Sequence, residues 1–197
     1  MAAKLSGGNG ALALLCNTLP TGAILAVLIL TFGPVSGAHF NPAVSIALAS
    51  RGQVAWHTAA MYIAAQFVGG VVGVLAAHAM FELPLWQVSV HVRTGLRQWF
   101  AEAFATFGLL LTIFGCAART PAAIPYAVGL YITAAYWFTA STSFANPAVT
   151  VARALSNTYA GIAPTGILMF IVAQLVGALA AVKLAKWLFT ETIEKPG

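Results

Sequence analysis

The sequence predicts an all-α membrane protein, an inverted-repeat bundle of five full transmembrane helices and two re-entrant half-helices. Three observations carry that prediction. Hydrophobic residues make up 60 % of the chain and charged residues 7 %, and mean hydropathy is +0.90, whereas a soluble domain carries roughly 25 % charge. The tripeptide Asn-Pro-Ala occurs twice, at 41–43 and 146–148, each time in apolar surroundings. The stretch F-N-P-A-V-S-I-A-L aligns with A-N-P-A-V-T-V-A-R-A-L, and A-A-Q-F-V-G-G further on aligns with V-A-Q-L-V-G-A. The chain repeats itself.

The elements follow in order. Residues 1–10 are small and polar and lack the layout of a secretory signal. A first span covers 11–32, and G-P-V-S-G-A-H-F-N-P-A after it is too rich in Gly and Pro for helix. Pro42 opens a short helix reaching about Ser50, and a second span covers 54–81. Residues 82–98, with Glu82, His91, Arg93 and Arg97, form a water-facing loop. A third span covers 99–117 and a fourth 122–140. A second short helix ends near Ser156, a last span covers 162–189, and a polar tail closes the chain. Full spans meet the ~20 apolar residues a bilayer requires, while a helix of roughly nine residues crosses about half of it. Irregular backbone at membrane depth is tolerated only where protein or a wet cavity satisfies it.

The chain therefore divides into a first half-repeat at 1–81, the loop 82–98, and a second half-repeat at 99–197, within one membrane channel domain. The halves are unequal. Glu102 opens a span in the second half whose counterpart would fall before residue 1. We expect the intact protein to be longer.

Composition also excludes. The net charge of +5 reflects scarce acids, and the nine Lys and Arg are scattered, which argues against nucleic-acid binding. Cys16 and Cys116 sit in apolar runs without ligand spacing and read as core hydrophobes. No metal and no cofactor is expected. No nucleophile, base and orienting group stand in one constellation, so the chain is not expected to be an enzyme.

Asn-Pro starts a helix. Asn41 and Asn146 have the side chain best suited to cap one, and Pro42 and Pro147 suit the first turn, followed by Ala43 and Ala148. With its oxygen engaged in capping, each Asn is expected to turn its NH₂ into a lumen as a donor. Two half-helix N-termini, each worth roughly +0.5 charge, then face one another. A neutral solute with lone pairs is accepted there, and a cation without a compensating carboxylate is rejected. Gln66 and Gln174, deep in spans, are expected to tie the loops by hydrogen bonds, and Glu102 to accept from loop N–H groups. A proton relay through Glu102 is the alternative.

At these residues the chain resembles the major intrinsic protein family, the aquaporins and aquaglyceroporins: G-A-H-F-N-P-A-V, the A-E-x-x-x-T-F opening at 101–107, and A-N-P-A-V. The resemblance covers nearly the whole chain. It implies an aquaporin-like bundle, here with the first of the usual six spans missing, embedded in the lipid bilayer of a bacterial inner membrane as a homotetramer. It also implies a selectivity filter of four positions. Val149 stands where water-selective members usually carry Arg, Ser143 lies in the loop, and Thr21 stands where bulky aromatics narrow water channels. The fourth position falls within 134–136, with Tyr136 preferred. Arg153, four residues after Val149 on the same helix face, either substitutes in part or snorkels at a helix end. His39 either lines the inner pore or packs. A filter of Thr21, Ser143 and Val149 is wide and weakly polar, suited to small uncharged polyhydroxy solutes. The resemblance is closest to bacterial aquaglyceroporins associated with arsenic resistance, which implies passage of arsenite as its neutral trihydroxide beside glycerol-like polyols and water. The alternative is a truncated, non-conducting or accessory member of the same family.

Overall fold

A computed structural model describes residues 2–189; the polar tail falls outside them. The described chain is helical, with no strand. A short turn of helix α1 (Ala2–Leu5) leads through Asn9, whose side chain caps the next helix by accepting from Leu12 N, into α2 (Gly10–Ser36). The half-helices are α3 (Pro42–Ser50) and α7 (Pro147–Ala154). The remaining helices are α4 (Trp56–Met80), α5 (Leu96–Arg119), α6 (Ile124–Phe138) and α8 (Pro164–Leu188). By length and composition α2, α4, α5 and α8 can cross a membrane. The fifth expected span, α6, has 15 residues and follows a 3-10 turn at Pro121–Ala123. It stops at Phe138 because Thr139 turns extended, its hydroxyl bonding Ala135 O at 2.7 Å.

Two expectations about loops need correction. Helix α2 runs through Gly33 and Pro34 to Ser36, where Gly37 closes it at φ 76° with its N–H on Gly33 O at 2.9 Å. A proline in the last turn removes one hydrogen bond but does not stop a helix that a left-handed glycine ends three residues later. The loop before α5 is not uniformly water-facing, and α5 begins at Leu96 rather than 99. Ser89 and Arg93 are 1 % and 8 % exposed, while Val88, Val90 and Val92 point outward. Ser89 N donates to Ala154 O, and His91 O accepts from Ala163 N at 2.7 Å, so the loop straps the far side of α7.

Packing follows from small residues. A Cβ on Gly22 would lie 2.7 Å from Gly129 O and one on Gly129 2.6 Å from Gly22 O, so α2 and α6 cross backbone to backbone. Gly177 likewise lets α8 rest on the Ala103 backbone of α5. Such close crossing is how helices bind one another where lipid removes the hydrophobic drive. One core cluster joins α3, α5 and α8 through Ala43, Val44, Leu110, Phe114 and Ala181; another joins α5 and α6 through Leu109, Val128, Ile132 and Tyr136 to the second loop at Ala145.

The inverted repeat is visible in packing and in its one asymmetry. In the second half, α5 lies against both α6 and α8. Among the described residues no helix plays that part in the first half, and α2 and α4 bring no Cα atoms within 8 Å of one another. Helix α8 buries nine residues, whereas α4 buries Ala59 and His78 alone. Gly69, the repeat counterpart of Gly177, has nothing within 4 Å of where a Cβ would stand.

Candidate functional site

The two Asn-Pro-Ala turns are built alike. Asn41 and Asn146 are extended at φ −153° and −158°, with side-chain oxygens accepting from Ala43 N, and from Ala148 N and Val149 N. The preceding loops also match. Ala38 and Phe40 take φ of 48°, and their counterparts Ser143 and Ala145 take 47° and 46°. Left-handed backbone at non-glycine residues is costly and persists only where neighbours hold it. Here the neighbours are identifiable. Glu102, fully buried, accepts from Phe144 N at 2.9 Å, from Ala145 N at 2.8 Å and from Gln174 Nε2 at 2.6 Å. Gln174 Nε2 also donates to Thr150 Oγ1, which bonds Asn146 O. In the first half Gln66 Nε2 donates to Ser45 Oγ, which bonds Asn41 O. The structural roles read for Glu102, Gln66 and Gln174 match this geometry.

The half-helices meet at their N-termini. Asn41 Nδ2 donates to Ala145 O at 2.7 Å and Asn146 Nδ2 to Phe40 O at 2.8 Å. The expected free NH₂ is therefore corrected. Each amide spends one hydrogen locking its own half-helix to the opposite loop and keeps the second for other acceptors. Pro42, Pro147, Ala43 and Ala148 are buried behind these groups.

A cavity of about 630 Å³ runs past both amides and is lined by Thr21, His39, Asn41, Tyr136, Ser143, Asn146, Val149 and Arg153 among others. Apolar side chains of α2, α5 and α6, such as Ile24, Leu28, Leu109 and Val128, make most of its wall. The structure thus brings the expected filter residues and both asparagines to one cavity. Thr21 turns its hydroxyl back onto Asn17 O at 2.7 Å. His39 does both things read for it: it lines the cavity, and it packs edge-on against Tyr62 with Nδ1 3.0 Å from Ser45 Oγ.

Arg153 has partners on the cavity wall. Its Nη2 donates to Tyr136 Oη at 2.8 Å and its guanidinium lies 4.3 Å from the centre of the Phe144 ring. Sequence reading missed the second arginine at this end. Arg93 donates to Gly161 O, Ser141 O and Tyr159 O, and its guanidinium stands 5.1 Å from the same ring. Burial first, then the Arg153 charge, lowers its pKa from the ordinary arginine value. A signal existed in Q-V-S-V-H-V-R, where polar residues alternate with valine as in a half-buried extended segment.

A family model described as major intrinsic protein matches residues 2–123. The chain is 52 % identical over 180 residues to the aquaglyceroporin AqpS of Rhizobium meliloti (strain 1021), a match covering 91 % of this chain and 77 % of the relative. It is 30 % identical over 167 residues to a probable NIP-type aquaporin of Nicotiana alata, covering 81 % and 60 %. It is also 30 % identical over 109 residues to the glycerol uptake facilitator protein of Streptococcus pneumoniae (strain ATCC BAA-255 / R6), covering 49 % and 47 %. The chain spans less than two thirds of the last two.

Proposed function

The chain belongs to the major intrinsic protein family, and from that premise we propose that it passes small uncharged hydroxylated solutes down their gradients while excluding ions and protons. It is a multi-pass protein of the cell membrane and a channel rather than an enzyme. The solutes are glycerol-like polyols, arsenite as its neutral trihydroxide, and water. The observation that carries this reading is the pair of asparagine amides, each with one hydrogen unspent, on the wall of one largely apolar cavity.

The chemistry follows from that wall. A hydroxyl oxygen entering the cavity accepts from Asn41 and Asn146 in place of water, while its carbon skeleton lies against Ile24, Leu28 and Val128. A cation meets the positive ends of α3 and α7, each roughly half a charge. The one carboxylate behind the loops, Glu102, is fully buried, with both oxygens committed to loop and Gln174 donors. Val149 in the filter adds no charge and leaves room for a three-carbon polyol. Assembly as a homotetramer comes with the same family resemblance.

A second reading, a non-conducting or accessory member of the family, draws on the separation of α2 and α4. Thr21 and Ile24 line both the main cavity and a second one of about 720 Å³ between α2 and the α4 terminus, so the channel wall is thin there. Swelling of proteoliposomes in glycerol, arsenous acid or water tests both readings. Faster entry of glycerol and arsenous acid than in protein-free vesicles, with a trapped anionic dye retained, supports the channel. Entry of water alone sinks the wide filter, and no acceleration supports the second reading.

A further inference from the structure

Where α3, α5 and α8 end together, the bundle carries a feature that conduction does not use. A cavity of about 330 Å³ opens there, lined by Arg51, Gln53, Phe114, Ala117, Lys186 and Phe189 among others. Both of its charged residues are cations. Neither glutamate among the described residues stands at this end: Glu82 follows the far end of α4, and Glu102 lies in the first half of α5 with both oxygens committed. Arg51 is held in place, its guanidinium carbon 4.7 Å from the centre of the Phe114 ring. Its Nε and Nη1 are covered by protein without an acceptor, which leaves Nη2 as the open nitrogen, also without an acceptor among the described residues. A guanidinium stripped of part of its water costs free energy until its open edge meets an anion. Basic side chains at a helix C-terminus commonly satisfy the last carbonyls, but here Leu48 O and Ala49 O are taken by the backbone N–H groups of Arg51, Gly52 and Gln53.

Depth in the membrane identifies the ligand. Helices α5 and α8 are long enough to span and end at Arg119 and Leu188, so the cavity lies where hydrocarbon gives way to headgroups. Trp187, 74 % exposed beside Lys186, and the exposed Arg119 are residues typical of that layer. The walls supply both chemistries that a phospholipid presents there, cations for its phosphate and the Phe114 and Phe189 rings for the start of an acyl chain. We propose that Arg51, with Lys186, binds the phosphate group of an anionic phospholipid in this cavity. Basic pockets between spans hold such headgroups by charge and hydrogen bonding together. Gln53 and Ala117 line this cavity and the main one alike, so the bound headgroup stands beside the mouth of the channel at this end. The inference goes beyond the channel reading and does not depend on it, because binding is measured without conduction.

The test follows thermal unfolding of the purified, delipidated chain in neutral detergent as phosphatidylglycerol, phosphatidylcholine or glycerol 3-phosphate is added. At a hundredfold excess over its Kd, phosphatidylglycerol should raise the midpoint by about 5–10 °C, and the other two should leave it near its starting value. Arg51→Gln should require about tenfold more phosphatidylglycerol for the same rise, the size of one lost hydrogen bond to a charged donor. Arg119→Gln removes an exposed arginine at the same end but outside the cavity and should respond as wild type does. If Arg51→Gln does not fold, Lys186→Gln and Arg51→Lys, which keeps the charge without the planar fork, carry the test, and each should weaken the response. Equal responses to phosphatidylglycerol and phosphatidylcholine, or equal weakening by Arg51→Gln and Arg119→Gln, overturn the site. A response to glycerol 3-phosphate as large as that to phosphatidylglycerol overturns the lipid as its occupant.

Discussion

Removing the Glu102 side chain should loosen the second re-entrant loop more than any other single truncation. Its carboxylate is fully buried and serves Phe144 N, Ala145 N and Gln174 Nε2. Glu102→Ala strands those three donors. A buried donor left unpaired costs about 1–3 kcal/mol, and water reaching the loop from the cavity recovers part of that. The remainder is on the order of 3–5 kcal/mol, the range for breaking a buried charged cluster. At roughly 2–4 °C per kcal/mol for a chain of this size, the midpoint of thermal unfolding in detergent should fall by about 10 °C. Glu102→Gln keeps one accepting oxygen and should lose about half as much. Glu82→Ala, at an exposed glutamate, should stay within about 0.5 kcal/mol of wild type. Because the same bonds hold Ser143 and Ala145 left-handed, glycerol flux should fall in Glu102→Ala even below its unfolding temperature. Equal midpoints for the Glu102→Ala and Glu82→Ala variants would refute the assignment of Glu102 as the loop's anchor.

Three further outcomes are expected. Gly177→Ala drives a methyl into the Ala103 backbone and should cost about 1–3 kcal/mol, whereas Gly69→Ala, with open space around it, should be neutral or gain up to about 1 kcal/mol in helix propensity; thermal midpoints in detergent distinguish the two. Val149→Arg, which adds a long cation to the cavity wall, should cut glycerol permeability about tenfold, a barrier of ~1.4 kcal/mol, and spare water; unchanged glycerol flux in liposomes would mean the filter lies elsewhere. Asn146→Asp keeps a capping oxygen but loses the donor to Phe40 O and sets a negative charge between two helix N-termini. Sodium leak should rise, and a leak no greater than wild type counts against the dipole barrier.

The half-helices were legible because their signals are local. Asn-Pro specifies a cap and a first turn within two residues, and Pro42 and Pro147 do open α3 and α7. Glu102, Gln66 and Gln174 were legible because an isolated polar residue in an apolar span must find a partner. What escaped depended on distant chain. The free NH₂ read for each asparagine ignored Ala145 O and Phe40 O, which lie 104 and 106 residues away in sequence. The partner of Arg153 could not be read from its place in the last turn of α7, because Tyr136 lies on another helix. Arg93 looked solvated because the loop was judged by its charges; its valine alternation carried the burial signal instead. The stretch from Gly33 to Ser36 was misread because Gly and Pro were counted as breakers without asking which residue could close the helix.

Proton flux measured beside glycerol flux, in one population of proteoliposomes holding both a glycerol gradient and a pH-sensitive dye, tests most directly whether the abutting ends of α3 and α7 form a conducting path that rejects charge. The expected result is glycerol equilibration well ahead of protein-free vesicles while the pH gradient decays at the protein-free rate. A gradient that collapses as glycerol enters, or glycerol that enters no faster than through lipid, would contradict it.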